Sequence, residues 1–153
     1  MTQEQIRAYF AGERDVRIQL AAEGDGSPEL AWGDTFISLQ RADAPPATMP
    51  FATLLTKDYP GFDEASRLAP GQRFRLNLDL GRETFERLLG FAPRDLDAHR
   101  ARFDFTAVDQ LLPHPAYGKQ GWVSVVNPGQ ACTPAASELL RLALERARQR
   151  SGG

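Results

Sequence analysis

The segment from Leu112 to Trp122 reads Leu-Pro-His-Pro-Ala-Tyr-Gly-Lys-Gln-Gly-Trp and holds one of the two histidines of the chain. Pro113 and Pro115 fix the backbone on either side of His114. An imidazole changes charge near neutral pH, so His114 could serve as an acid, a base or a ligand. The structural alternative carries more weight: a loop histidine donating to a carbonyl and locking the connection into the next strand. Tyr117, Lys119 and Trp122 add aromatic and cationic surface that could stack on a flat ligand. Against that, a tryptophan at the start of a strand usually belongs to the core.

A second constellation runs from residue 73 to residue 80. Arg73, Arg75, Asn77 and Asp79 alternate with Phe74, Leu76, Leu78 and Leu80, the period-two pattern of a strand with one apolar face. The arginine fork recognises carboxylates and phosphates, and asparagine both donates and accepts, so the polar face could be a binding floor. Alternatively it is a solvated sheet face on which Arg75 and Asp79 pair with neighbouring strands. The ligand-binding candidates are therefore Arg73, Arg75, Asn77, His114, Tyr117 and Lys119. No catalytic set, metal site or cofactor is assigned. Asp34, Asp58 and Asp63 lack calcium-loop spacing, and His99 and His114 do not form a zinc signature. Cys132 stands alone, and neither a phosphate-binding glycine loop, a nucleophile elbow nor a dinucleotide fingerprint is present.

Around these residues the chain predicts short elements. Thr2-Gln-Glu-Gln5 forms a capping box ahead of a helix with Ile6, Tyr9 and Phe10 on one face and Gly12 as its stop. Strands are expected at 16–21, weakly at 30–32, and at 35–40, 51–56, 73–80 and 122–126. Residues 41–50, with three prolines, read as a loop. Helices are expected at 82–89 with Gly90 as stop, at 95–101, and at 105–112 with Asp104 as cap. One helical turn is expected at 62–68 before Pro70-Gly71. Thr133-Pro134 opens a C-terminal helix with Leu139, Leu140, Ala143 and Ala147 inward. Without βαβ alternation, this order predicts an α+β fold. It is a single domain over 1–150 with a flexible tail at 151–153, built on a mainly antiparallel sheet of about five strands. The N- and C-terminal helices pack on one face, leaving the Arg/Asn/Asp side of strand 73–80 toward solvent or a ligand.

Composition bounds the classes. At 153 residues, with 42% apolar and 25% charged residues, the chain has the size and make-up of one ordinary domain. A net charge of −2 argues against strong electrostatic capture of nucleic acid. One cysteine excludes an internal disulfide, and no apolar run approaches the ~20 residues needed to cross a bilayer. The polar start, Met-Thr-Gln-Glu-Gln, does not read as a signal peptide, so a cytoplasmic setting is expected.

Five blocks occur in order: Phe51-Ala-Thr-Leu54, Phe74-Arg-Leu-Asn77, Glu83-Thr-Phe85, Pro113-His-Pro-Ala-Tyr-Gly118 and Trp122-Val-Ser-Val-Val-Asn-Pro128. In order and spacing they resemble an uncharacterised bacterial family, a domain of unknown function, over roughly residues 50–148, whereas residues 11–49 match poorly. The resemblance implies a fold and no activity. A more distant resemblance, through Lys119 and Trp122-Val123, is to the YjbR/MmcQ-like proteins of the CyaY-like fold, some of which bind DNA. Three readings follow. The favoured one is a binding module for a small, anionic molecule or a protein partner, using strand 73–79 and loop 113–120. The second is weak nucleic-acid binding of YjbR/MmcQ type. The third is an enzyme with His114 as acid–base, oriented by Asp104 or Asp109.

Overall fold

The capping box at Thr2 forms as expected in the computed structural model, which describes residues 1–43, 49–68 and 73–152. The Gln5 amide donates to Thr2 Oγ1 at 3.1 Å, and the Thr2 amide donates to Gln5 Oε1 at 2.8 Å. It starts α1 (Gln3–Ala11), followed by β1 (Val16–Leu20), β2 (Thr35–Leu39), β3 (Ala52–Leu55) and β4 (Arg75–Asp79). Then come α2 (Gly81–Leu89), α3 (Leu96–His99), β5 (Leu112–Pro113), β6 (Trp122–Val126) and α4 (Thr133–Gly152). The fold is α+β. All strand pairs are antiparallel, in the order β1-β2-β3-β4-β6-β5.

Alternation divides the sheet into two faces. Ile37, Leu39, Ala52, Leu54, Leu76, Leu78 and Val123 face Ile6 and Phe10 of α1, Phe85 of α2, and Leu139, Leu140, Ala143 and Leu144 of α4. Each large side chain buried there contributes about 1.5–3 kcal/mol. Arg148 ties the closing helix to the start of the chain, donating to Asp15 Oδ2 at 2.9 Å and Glu13 Oε2 at 2.7 Å. The N- and C-terminal helices thus share one face.

Among the described residues six strands form where about five were expected. The added one is the two-residue β5, and the weak strand expected at 30–32 is instead a 3-10 turn, Glu29–Ala31. No helix forms at 105–112. Asp104 Oδ1 accepts from the Thr106 amide at 2.9 Å and its hydroxyl at 2.6 Å, a local turn that competes with helix in a segment too short to propagate one. Asp109, at φ +56°, turns its carboxylate to the amides of Gly129, Ala131 and Cys132 ahead of α4. Residues 62–68 are turns and extended chain, not a helical turn. The proline-rich loop expected at 41–50 falls in part on residues 44–48, and Pro70-Gly71 within 69–72, both outside the described residues.

The largest departure concerns the polar face of β4. Arg75, Asn77 and Asp79 do not face solvent; all five residues of β4 are buried. The segment 56–68 folds over this end of the sheet. Asp34 anchors it by accepting from the Thr56 amide and hydroxyl, each at 2.8 Å, and from Tyr59 Oη at 2.6 Å.

Candidate functional site

Strand register places Thr53, Asn77 and Ser124 side by side across β3, β4 and β6. Their side chains form one chain of hydrogen bonds. Asn77 Nδ2 donates to Thr53 Oγ1 at 2.9 Å, and Asn77 Oδ1 accepts from Ser124 Oγ at 2.7 Å and from Arg75 Nε at 2.7 Å. Arg75, only 1% exposed, extends toward segment 56–68. Its Nη1 donates to Asp63 Oδ1 at 2.9 Å and Ser66 Oγ at 2.8 Å, and its Nη2 donates to Asp63 Oδ2. Burial pushes the Asp63 carboxyl up, but the Arg75 guanidinium bonded to both oxygens more than offsets this and holds it below the usual range. The result is an ionised, charge-balanced pair inside the protein, tolerable because its hydrogen bonds are made.

His114 lies beside this pair, 3% exposed. The loop wraps its ring: Nδ1 accepts from the amides of Ala116 at 3.0 Å and Tyr117 at 2.9 Å. An imidazole nitrogen that accepts two amide bonds carries no proton, so the ring proton of the neutral form sits on Nε2. Burial, then the neighbouring Arg75 charge, pushes the pKa of His114 down to about 3, against an opposing pull from Asp63. At neutral pH His114 is therefore an uncharged donor. With Nδ1 occupied and Nε2 protonated, it has no lone pair free to take a proton, and the general-base role considered from sequence lacks its acceptor. Asp104 and Asp109, the proposed orienting residues, are engaged in the local turn and the start of α4.

Above these groups opens a cleft of about 440 Å³. Phe36, Leu55, Tyr59, Phe62, Tyr117 and Trp122 make its walls, while Thr53, Asp63 and His114 supply polar atoms. Phe62 and Tyr117 meet edge-to-face at 5.6 Å, bringing segment 56–68 against loop 113–122. Gly121 allows the loop to fit. At φ +94° it takes a conformation open to glycine, and a Cβ there would lie 2.7 Å from the backbone carbonyl carbon of Gly81.

A family of unknown function, DUF6194, matches residues 1–152. The chain belongs to this family. The match takes in residues 11–49 as well, where the resemblance read from the sequence was poor. The chain matches no curated protein and no solved structure. Membership therefore carries no activity to this chain.

The six sequence candidates separate. His114 and Tyr117 line the cleft. Arg75 and Asn77 lie beneath it and are bonded to each other. Arg73 donates to the Thr106 carbonyl at 2.8 Å, and Lys119 pairs with Asp97 at 2.5 Å, neither of them on the cleft lining. Sequence reasoning missed the cleft roles of Asp63, Thr53, Phe36 and Phe62. Two weak signals existed: Thr53 and Ser124 are polar residues inside the apolar runs Phe51–Leu55 and Trp122–Val126. Among the described residues no group of three or more histidine, cysteine, aspartate or glutamate side chains forms a candidate metal site, and no helix is long and apolar enough to cross a membrane.

Proposed function

We propose that the chain is a small-molecule binding module whose site is the cleft between the polar sheet face and the two loops, 56–68 and 113–122. The carrying observation is the contrast between walls and base. Aromatic side chains line an open cleft of about 440 Å³, and directly beneath lies a buried, hydrogen-bonded network running Ser124–Asn77–Arg75–Asp63. Apolar walls over a few fixed polar groups are the usual make-up of ligand sites. A merely structural sheet face would need no such opening. A cytoplasmic setting fits the lone cysteine.

The reading is tested by a thermal-shift screen of planar fragments on the parent protein and on Phe62→Ala. Phe62 is 58% exposed, so its truncation leaves the fold intact. Compounds should raise the Tm of the parent and lose affinity at least several-fold in the variant. Hits indifferent to Phe62→Ala would place binding elsewhere.

Weak nucleic-acid binding of the YjbR/MmcQ kind draws less support. The cations it needs already have partners: Arg73 with Thr106, Lys119 with Asp97, Arg141 with Glu138 and Glu145, and Arg148 with Glu13 and Asp15.

A further inference from the structure

Counting hydrogens at the base of the cleft exposes a mismatch. The Arg75 guanidinium has five N–H groups. One goes to Asn77, two from Nη1 go to Asp63 and Ser66, and one from Nη2 goes to Asp63. The remaining Nη2–H lies toward His114, whose Nε2 is 3.4 Å away. That contact is a hydrogen bond only if Nε2 is an acceptor. The two shorter bonds that Nδ1 accepts, at 3.0 and 2.9 Å, put the proton on Nε2 instead. The 3.4 Å contact is thus donor against donor. Asp63 Oδ2, at 4.0 Å from Nε2, is too far to take the proton. Among the described residues, two buried N–H groups stand side by side without an acceptor, next to a cleft that His114 and Asp63 line.

Resting on the binding reading above, we propose that this donor pair receives an oxygen atom of the ligand, and that the ligand is an uncharged, planar, largely apolar molecule carrying a carbonyl-type acceptor. One oxygen with two lone pairs can serve Arg75 Nη2–H and His114 Nε2–H together. The aromatic walls of Phe36, Phe62, Tyr117 and Trp122 suit the flat apolar body. Charge selects against an anion. The Arg75 charge is already matched by Asp63, so a ligand carboxylate would meet the Asp63 carboxylate with no unpaired cation beside it among the described residues. The anionic ligand expected from the arginine-rich strand is replaced by a neutral one. Asn77 acts as a positioning residue, holding Nε so that the guanidinium presents its Nη2 edge.

The experiment compares three compounds on one bicyclic frame by NMR titration: 1-indanone, indane and indane-1-carboxylate. It uses the parent protein and His114→Asn, since asparagine's Oδ1 can still accept from the 116 and 117 amides while the Nε2 donor is gone. The expected result is at least tenfold tighter binding of indanone than of indane to the parent, with the gap between the two closing in H114N. Equal binding of indanone and indane to the parent overturns the acceptor site and leaves cleft binding standing. Tightest binding of the carboxylate overturns the neutral ligand. If none of the three perturbs the signals of Phe62, Tyr117 or Trp122, the binding reading itself fails. The comparison within the parent stands even if H114N does not fold.

Discussion

His114 holds its neutral state by burial, and this fixes how stability must respond to pH. The folded-state pKa, about 3, lies below the ordinary 6.5, so between these values the unfolded chain binds one more proton than the folded one. The stabilisation is complete above pH ~6.5 and is lost as pH falls toward ~3, at up to about 1.4 kcal/mol per pH unit. Arg75 and Asp63 are the charged groups facing the ring, and Asp63, with its depressed pKa, begins to contribute its own loss only below the ordinary carboxylate range. Urea unfolding between about pH 7 and 4.5 should show this slope in the parent and a flatter one in His114→Asn; an unchanged slope would contradict a neutral buried ring. At the same scale, Asp63→Asn should cost about 3–5 kcal/mol, because it leaves the Arg75 guanidinium buried and unpaired. Replacing both by leucine and methionine should recover most of that loss. Sequence alternation identified Arg75 and Asn77 as sharing a face, but it could not show that the face is covered. The cover is an irregular segment, 56–68, held by Asp34 and Asp63 side chains, and side-chain anchors leave no periodicity to read.

The strands were the legible elements because their two-residue period coincides with burial on one side. Residues 122–126 match their expected bounds, and 73–80 contains β4. The region 105–112 was misread for a physical reason: apolar residues at Phe105, Val108, Leu111 and Leu112 fit a helical face, while Asp104 and Asp109 spend their carboxylates on turns. Only the partner amides at 129–132, distant in sequence, distinguish the two outcomes. Loop 113–122 is specified more strongly than its irregular shape suggests, since Gly121 touches Gly81 and Gly118 packs on Leu96. Gly121→Ala should therefore destabilise by at least about 2 kcal/mol in urea unfolding, through strain at positive φ added to a backbone clash. It should also weaken binding in the cleft, because the loop carries His114 and Tyr117.

Across the whole molecule, one sheet serves two purposes. Helices α1, α2 and α4 cover one face with an apolar core, while the other bears the polar row and the cleft. Net charge is −2 and many arginines of α4 are matched by carboxylates. Fluorescence anisotropy with a labelled duplex should accordingly show no binding that strengthens as salt is lowered from about 200 to 50 mM; a steep salt slope would revive the nucleic-acid reading. The two-sided sheet also has an optical consequence. The chain has two tryptophans, and they report on different places: Trp122 stands in the cleft wall, whereas Trp32 donates its indole N–H to the Ser27 carbonyl at 3.2 Å. A Trp32→Phe protein would carry a single tryptophan, on the cleft wall, so occupancy could be followed by tryptophan emission without attaching a label.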